Sequence, residues 1–264
     1  MDFLFFGLQQ LRACIFAGSF FIILFISNHL FLGPIPRYDF LFIFALLLQV
    51  LLIVLKIEDY KEALAISLFH IVGLVLELYK TNSLIGSWSY PEFAYLKIAS
   101  VPLYSGFMYA AVGSYLMQSW KVLKLRFDPY PKKVFGIIIC AVIYLNFFTN
   151  HWIYDIRWIL ISIVALAYWR TTVHFTSRKK EYKMPLVLAF TLIAFFIWLA
   201  ENMATFLGAW SYPDQTDRWN WVSFNKISSW SLLVIISFII VAIAKQKQPT
   251  ISSRICEDEN PPKP

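Results

Sequence analysis

Apolar side chains gather in eight runs, at about residues 13–32, 39–55, 63–79, 101–120, 134–149, 156–170, 185–203 and 228–244. Each approaches the ~20 residues that a helix needs to cross a ~30 Å hydrocarbon core. Strand-like alternation is absent from these runs, so helices rather than a barrel are expected to satisfy the backbone in lipid. Pro34, Pro36, Pro91, Pro102, Pro131, Pro185 and Pro213 stand at or near the run boundaries, where proline is tolerated. The pattern predicts an all-α fold: a polytopic membrane bundle of about eight transmembrane helices with no soluble domain.

Polar landmarks divide the bundle in two. Asn28-His29 recurs as Asn150-His151, and Tyr60-Lys61, after an acid, recurs as Tyr182-Lys183 after Glu181. The stretch from Gly86 through Trp88, Ser89, Tyr90 and Pro91 to Glu92 recurs as Gly208, Trp210, Ser211, Tyr212, Pro213 and Asp214. All three pairs share an offset of 122 positions. Tyr38-Asp39 and Tyr154-Asp155, Glu77 and Glu201 (each with a threonine four residues on), and Lys97-Ile98 and Lys226-Ile227 keep the same order with small slips. This predicts two parallel four-helix repeats, 1–124 and 125–247, related by an axis along the membrane normal. A polar, proline-containing tail, 248–264, is expected to be disordered and cytoplasmic.

Composition agrees with lipid as the solvent. Of 264 residues, 59% are hydrophobic and 15% charged, with mean hydropathy +0.62, whereas a soluble domain carries roughly 25% charge. The net charge of +7 would suggest nucleic acid in a soluble protein. Here the cations are expected to set topology and meet anionic headgroups, and the partner is the lipid bilayer, with no nucleic acid. Of the 23 Lys and Arg residues, 17 fall on the N-terminus, the residues after Ala244 and the segments 56–62, 121–133 and 170–184. That excess puts the N-terminus and C-terminus in the cytoplasm. The first apolar run lacks a small-residue cleavage site and is expected to be retained. Cys14, Cys140 and Cys256 form no CxxC or Cys/His cluster, and none is expected in a disulfide.

Most repeated landmarks fall on the exterior side of the predicted bundle, where two copies would form an outward-facing polar cup. Glu77 and Glu201 are the sharpest candidates, because an ionised carboxylate inside hydrocarbon needs a partner or a water-filled cavity. Burial can tune such acids for proton transfer, which makes them candidate catalytic groups. His70 lies two turns below Glu77 on the same stripe and joins them. Thr81 and Thr205, at i+4, share a face with the glutamates and are placed to hydrogen-bond them. Trp88, Tyr90, Trp210 and Tyr212 in the repeated loops are suited to lid a site or stack on an apolar substrate. Asn28, His29, Asn150, His151, Asp39 and Asp155 complete the candidate binding set. No metal and no cofactor is expected: no nucleotide loop, His-Glu-x-x-His or Gly-x-Ser-x-Gly motif is present.

Three stretches carry a family likeness: Glu77 to Thr81, Gly86 to Glu92, and Val101 to Tyr115. Later stretches, Tyr144–Thr149, Asp155–Trp158, Trp198–Asn202 and Ile235–Phe238, extend it over nearly the whole chain except the tail. In these the chain resembles the YoaT-like family of bacterial membrane proteins, domain of unknown function 817. The likeness implies an inner or plasma membrane of a bacterium and supplies no activity. In layout alone, an acid ending a helix, then Gly-x-Trp-x-Tyr, then Val101-Pro102-Leu103, is similar to membrane-embedded lycopene cyclases and carotenoid-biosynthesis proteins. Those enzymes carry Glu-Glu after Pro-Leu, where this chain has Tyr104-Ser105. Three functions are consistent with the pattern. The leading one is an intramembrane enzyme using Glu77 and Glu201 as acid and base on a lipophilic, terpenoid- or lipid-like small molecule. The alternatives are a small-solute or ion transporter, and a non-catalytic membrane factor. Oligomeric state is not legible.

Overall fold

The computed structural model describes residues 2–30, 32–129 and 133–246. The tail at 248–264, including Cys256, lies outside the described residues. The chain runs α1 (Asp2–Ala13), α2 (Ile15–Ser27), α3 (Arg37–Val54), α4 (Tyr60–Lys80), β1 (Lys97–Ile98), β2 (Val101–Pro102), α5 (Ser105–Val122), β3 (Arg126–Asp128), α6 (Lys133–Thr149), α7 (Arg157–Tyr168), β4 (Thr172–Ser177), β5 (Lys180–Pro185), α8 (Leu186–Phe206), a 3-10 turn (Pro213–Gln215) and α9 (Lys226–Gln246).

Each of the eight apolar runs holds one of the helices α2 to α9. By length and composition, α3, α4, α8 and α9 are each able to cross a membrane, and α1 with α2 makes a fifth candidate, bent by 73° at Cys14. Helices α6 and α7 are apolar but shorter. Helix α5 carries buried Ser105, Ser114, Gln118 and Ser119, polar groups that need protein neighbours rather than lipid. It packs against α4, α2, α1 and α9, so it sits inside the bundle. Helix α9 is the other central element: 56% of its apolar window is buried, against 28–39% for the other long helices.

At one end of the bundle, the segments 126–128 and 172–185 form a small antiparallel sheet, order β3-β4-β5, with Arg126 opposite His174 and His174 opposite Lys183. Val173 is buried and Lys183 exposed, as expected of strands that cover the bundle on one face only. Buried Glu62 is bridged there by Lys121 of α5 and Lys245 of α9, each at 2.6 Å. Asp59 and Glu62 also close a reciprocal cap on α4, which fixes where that helix starts. This is the sheet end; the opposite, loop end holds the candidate site.

At the loop end the two Gly-x-Trp-Ser-Tyr-Pro segments meet. Ser89 N–H donates to Ser211 O and Ser211 N–H to Ser89 O, both at 2.9 Å. Positions that are equivalent in the predicted repeat thus pair with each other. Gly86 (φ +54°) and Gly208 (φ +71°) turn the chain into these segments in the left-handed region, where a side chain is costly.

Candidate functional site

Two long helices each carry an acid in their last two turns, and the following loop folds back to cover it. Glu77, near the end of α4, is 2% exposed. Its Oε2 accepts from Trp88 Nε1 and Tyr90 O–H, both at 2.7 Å, and its Oε1 accepts from Tyr109 O–H of α5 at 2.8 Å. Glu201 of α8 is 3% exposed. Its Oε1 accepts from Tyr212 O–H at 2.5 Å, and its Oε2 from Trp230 Nε1 of α9 at 2.7 Å. Gly73 makes the first arrangement possible. A Cβ there would overlap the Tyr109 ring, so only glycine lets that ring lie across α4.

The two acids are joined through their aromatic donors. The Trp88 and Tyr212 rings stand edge to face, with centroids 6.1 Å apart. Lys226, the first residue of α9, holds its ammonium 4.3 Å from the Tyr212 ring centroid and 5.4 Å from that of Trp88. Lys226 thus stands over one aromatic donor to each glutamate. A cation in the first turn of a helix opposes the macrodipole, so this placement is maintained by the rings and the acids and not by the helix. Burial, and next the neighbouring carboxylate, push the Tyr90 and Tyr212 phenols well above their ordinary range, so both stay protonated donors.

Around this centre the loop end is tied together across the predicted halves. Tyr38 O–H donates to Gly208 O at 3.0 Å, Arg37 Nη2 to Leu207 O at 2.5 Å, and Asn28 Nδ2 to Leu207 O at 3.1 Å. Arg37 also pairs with Glu92, and Tyr104 O–H donates to Ala209 O. From the other side, buried Lys80 donates to Asn150 Oδ1 at 3.0 Å and meets His151 Nε2 at 2.9 Å. Desolvation, then the cations Lys80, Lys226 and Arg157, lower the His151 pKa below its ordinary 6.5.

Other predicted residues have different duties. The hydroxyls of Thr81 and Thr205 do not meet the carboxylates. Thr81 bonds the Glu77 main-chain carbonyl, and Thr205 bonds Asn202 O while accepting from Trp219 Nε1. A threonine within a helix finds the preceding turn's carbonyl closer than a side chain on that turn. His70 packs its ring 4.5 Å from that of Phe107, and its Nδ1 makes no hydrogen bond among the described residues. His29 is exposed beside Phe25. Asp39 accepts from Tyr95 N–H and Leu96 N–H, and Asp155 from Asn146 and Arg157, so both brace loops. Trp210 is buried in the core, and its repeat position opposite Trp88 is taken over at Glu201 by Trp230. Sequence reasoning missed Lys226, Tyr109 and Trp230 as parts of the site. Lys226 left a trace as half of the Lys-Ile landmark, and Tyr109 lies in the Val101–Tyr115 stretch that carries the family likeness. Among the described residues, no group of three or more His, Cys, Asp or Glu is placed to hold a metal ion.

The DUF817 family, described as a protein of unknown function, matches residues 2–238 of the chain. The uncharacterized protein YoaT of Bacillus subtilis (strain 168) is 47% identical over 255 residues, covering 97% of this chain and 96% of that protein. No solved structure matches.

Proposed function

We propose, from the premise that the chain belongs to the DUF817 family of proteins of unknown function, that it is a multi-pass cell-membrane protein whose two similar halves enclose a cation site and pass small monovalent cations. One observation carries this: the Lys226 ammonium lies over two aromatic rings whose polar edges hold the two buried glutamates. Aromatic faces backed by carboxylates are the chemistry that recognises alkylammonium ions, and here an internal ammonium occupies it. A solute cation takes the place of Lys226 when that side chain withdraws, and the glutamates couple the exchange to protons. Each of the four oxygens accepts from a protein donor, and the space over those donors is taken by the Lys226 ammonium, which favours a cation site over an acid–base site.

About eight spans, with the sheet end cytoplasmic, fit the alternating directions of α2 to α9 and the excess of basic residues at that end. Exposed Tyr95, Trp152, Tyr154, Trp158 and Trp221 at the loop end fit an interfacial belt.

The test is uptake of radiolabelled tetramethylammonium into proteoliposomes under an imposed pH gradient. Glutamine is a clean substitute at both acids. Its oxygen can face the indole, a donor only, while its amide donates to Tyr109 or Tyr212, whose hydroxyl reverses. Uptake that is saturable and lost in Glu77→Gln and Glu201→Gln supports the reading. Uptake at the rate of empty liposomes, or unchanged in both variants, refutes it.

A further inference from the structure

At the sheet end, far from the glutamates, a cavity of about 560 Å³ opens between α1, the turn from α3 to α4 and the end of α5. Its apolar walls include Phe5, Leu8 and Leu55, and its charged lining is Arg12, Lys56 and Lys121, with no carboxylate among the lining residues. Lys121 is held by Glu62 and Ile57 O. Among the described residues, the side chains of Arg12 and Lys56 make no hydrogen bond or ion pair, so two cations face this cavity unspent.

Helix α1 is placed for a membrane surface. It leaves α2 at 73°, so it lies across the direction of the bundle. Its polar side is anchored inward: Gln9 Nε2 donates to Val122 O and Thr176 O, Tyr115 O–H to Gln10, and Tyr182 O–H to Asp2. Its other side exposes Phe3, Leu4 and Leu11. An amphipathic helix of this kind lies at the boundary of headgroups and acyl chains. The cavity behind it therefore stands at headgroup depth, with apolar walls toward the chains and cations toward the phosphates.

We infer that this cavity is a binding site for one anionic membrane lipid. Its headgroup phosphate is held by Arg12 and Lys56, with Lys121 behind them, and its acyl chains lie against Phe5, Leu8 and Leu55. Basic pockets between helices at a charged membrane face bind such headgroups. The inference is independent of the cation site.

Arg12→Gln/Lys56→Gln is the test variant. It removes no internal bond, and Lys121 and its ion pair are left intact. Purified wild type and variant, in neutral detergent, are titrated with short-chain phosphatidylglycerol, short-chain phosphatidylcholine and inorganic phosphate, following the quenching of a fluorophore attached near α1. Wild type is expected to bind phosphatidylglycerol saturably and the variant roughly 30-fold more weakly, from about 1 kcal/mol for each of two cations at 1.4 kcal/mol per decade. Phosphatidylcholine and phosphate should bind at least tenfold more weakly than phosphatidylglycerol to the wild type. Equal affinity of wild type and variant for phosphatidylglycerol, or phosphate competing as well as the lipid, overturns the inference. A companion variant, Leu8→Gln, should weaken the lipid and leave phosphate unchanged; if it weakens neither, the apolar wall is not part of a lipid site.

Discussion

Tyr109→Phe should destabilise the protein more than Tyr90→Phe, although each removes one hydroxyl from the same carboxylate. Glu77 Oε2 has two donors, Trp88 and Tyr90, whereas among the described residues Tyr109 is the sole donor to Oε1. Losing Tyr90 leaves Oε2 still bonded. Losing Tyr109 leaves a buried carboxylate oxygen with nothing. A hydrogen bond to a charged group is worth about 1.5–3 kcal/mol, and the cost rises when the partner is stranded without water. The structure therefore predicts about 2–3 kcal/mol for Tyr109→Phe and about 1 kcal/mol for Tyr90→Phe. Thermal unfolding in detergent, read by loss of the monodisperse fraction, should lower the midpoint on the order of 3 °C per kcal/mol for a chain of this size. The same substitution in a Glu77→Gln background should cost about half as much, because the bond it removes is then neutral. If Tyr90→Phe is the worse variant, or if Glu77→Gln leaves the Tyr109→Phe penalty unchanged, the carboxylate is not held as described.

Lys226→Ala should cost about 2 kcal/mol, the worth of a desolvated ammonium over aromatic rings, and n-propylammonium at millimolar concentration should restore part of the melting temperature. No rescue by the amine, with normal rescue by Lys226→Arg, would mean that the rings merely pack against a side-chain stem. At the sheet end, Glu58 and Glu62 should answer differently to amidation. Desolvation raises the Glu58 pKa, and its partners Ser114 and Gln49 are neutral, so ionisation is unfavourable as pH rises above about 4.5. Glu58→Gln should thus be neutral or stabilising at pH 7, whereas Glu62→Gln, which strands Lys121 and Lys245, should cost about 3 kcal/mol. Equal melting temperatures for the two variants would contradict this. His151 has a folded pKa below 6.5, so the unfolded chain takes up the proton first and stability falls as pH drops through and below about 6.5. His151→Gln should flatten that part of the melting-temperature profile; a slope equal to wild type would assign it to other groups.

The helices were legible because each is written as a long apolar run, and each run from 13–32 to 228–244 holds one helix. Helix α1 was not: its apolar positions are interleaved with Gln9, Gln10 and Arg12, and the bend falls at Cys14, which carries none of the usual breaking signals. The sheet hid behind Arg178, Lys179 and Lys180, which read as a topology signal although Val173 and Phe175 alternate with polar neighbours on either side. Glu77 and Glu201 stood out as acids at the ends of apolar runs, and the repeated loops as a matched pair. Their partners did not stand out. Tyr109 and Trp230 come from other helices, and Lys226 looks in sequence like one more loop cation. Only the antiparallel pairing of Ser89 with Ser211 brings Trp88 and Tyr212 together beneath that ammonium.

Calorimetric titration of the purified Lys226→Ala protein with tetramethylammonium tests the cation site most directly. The account predicts saturable binding that weakens as pH falls and disappears when Glu77→Gln or Glu201→Gln is added. Absence of saturable binding in Lys226→Ala, or binding that survives the loss of both carboxylates, would contradict it.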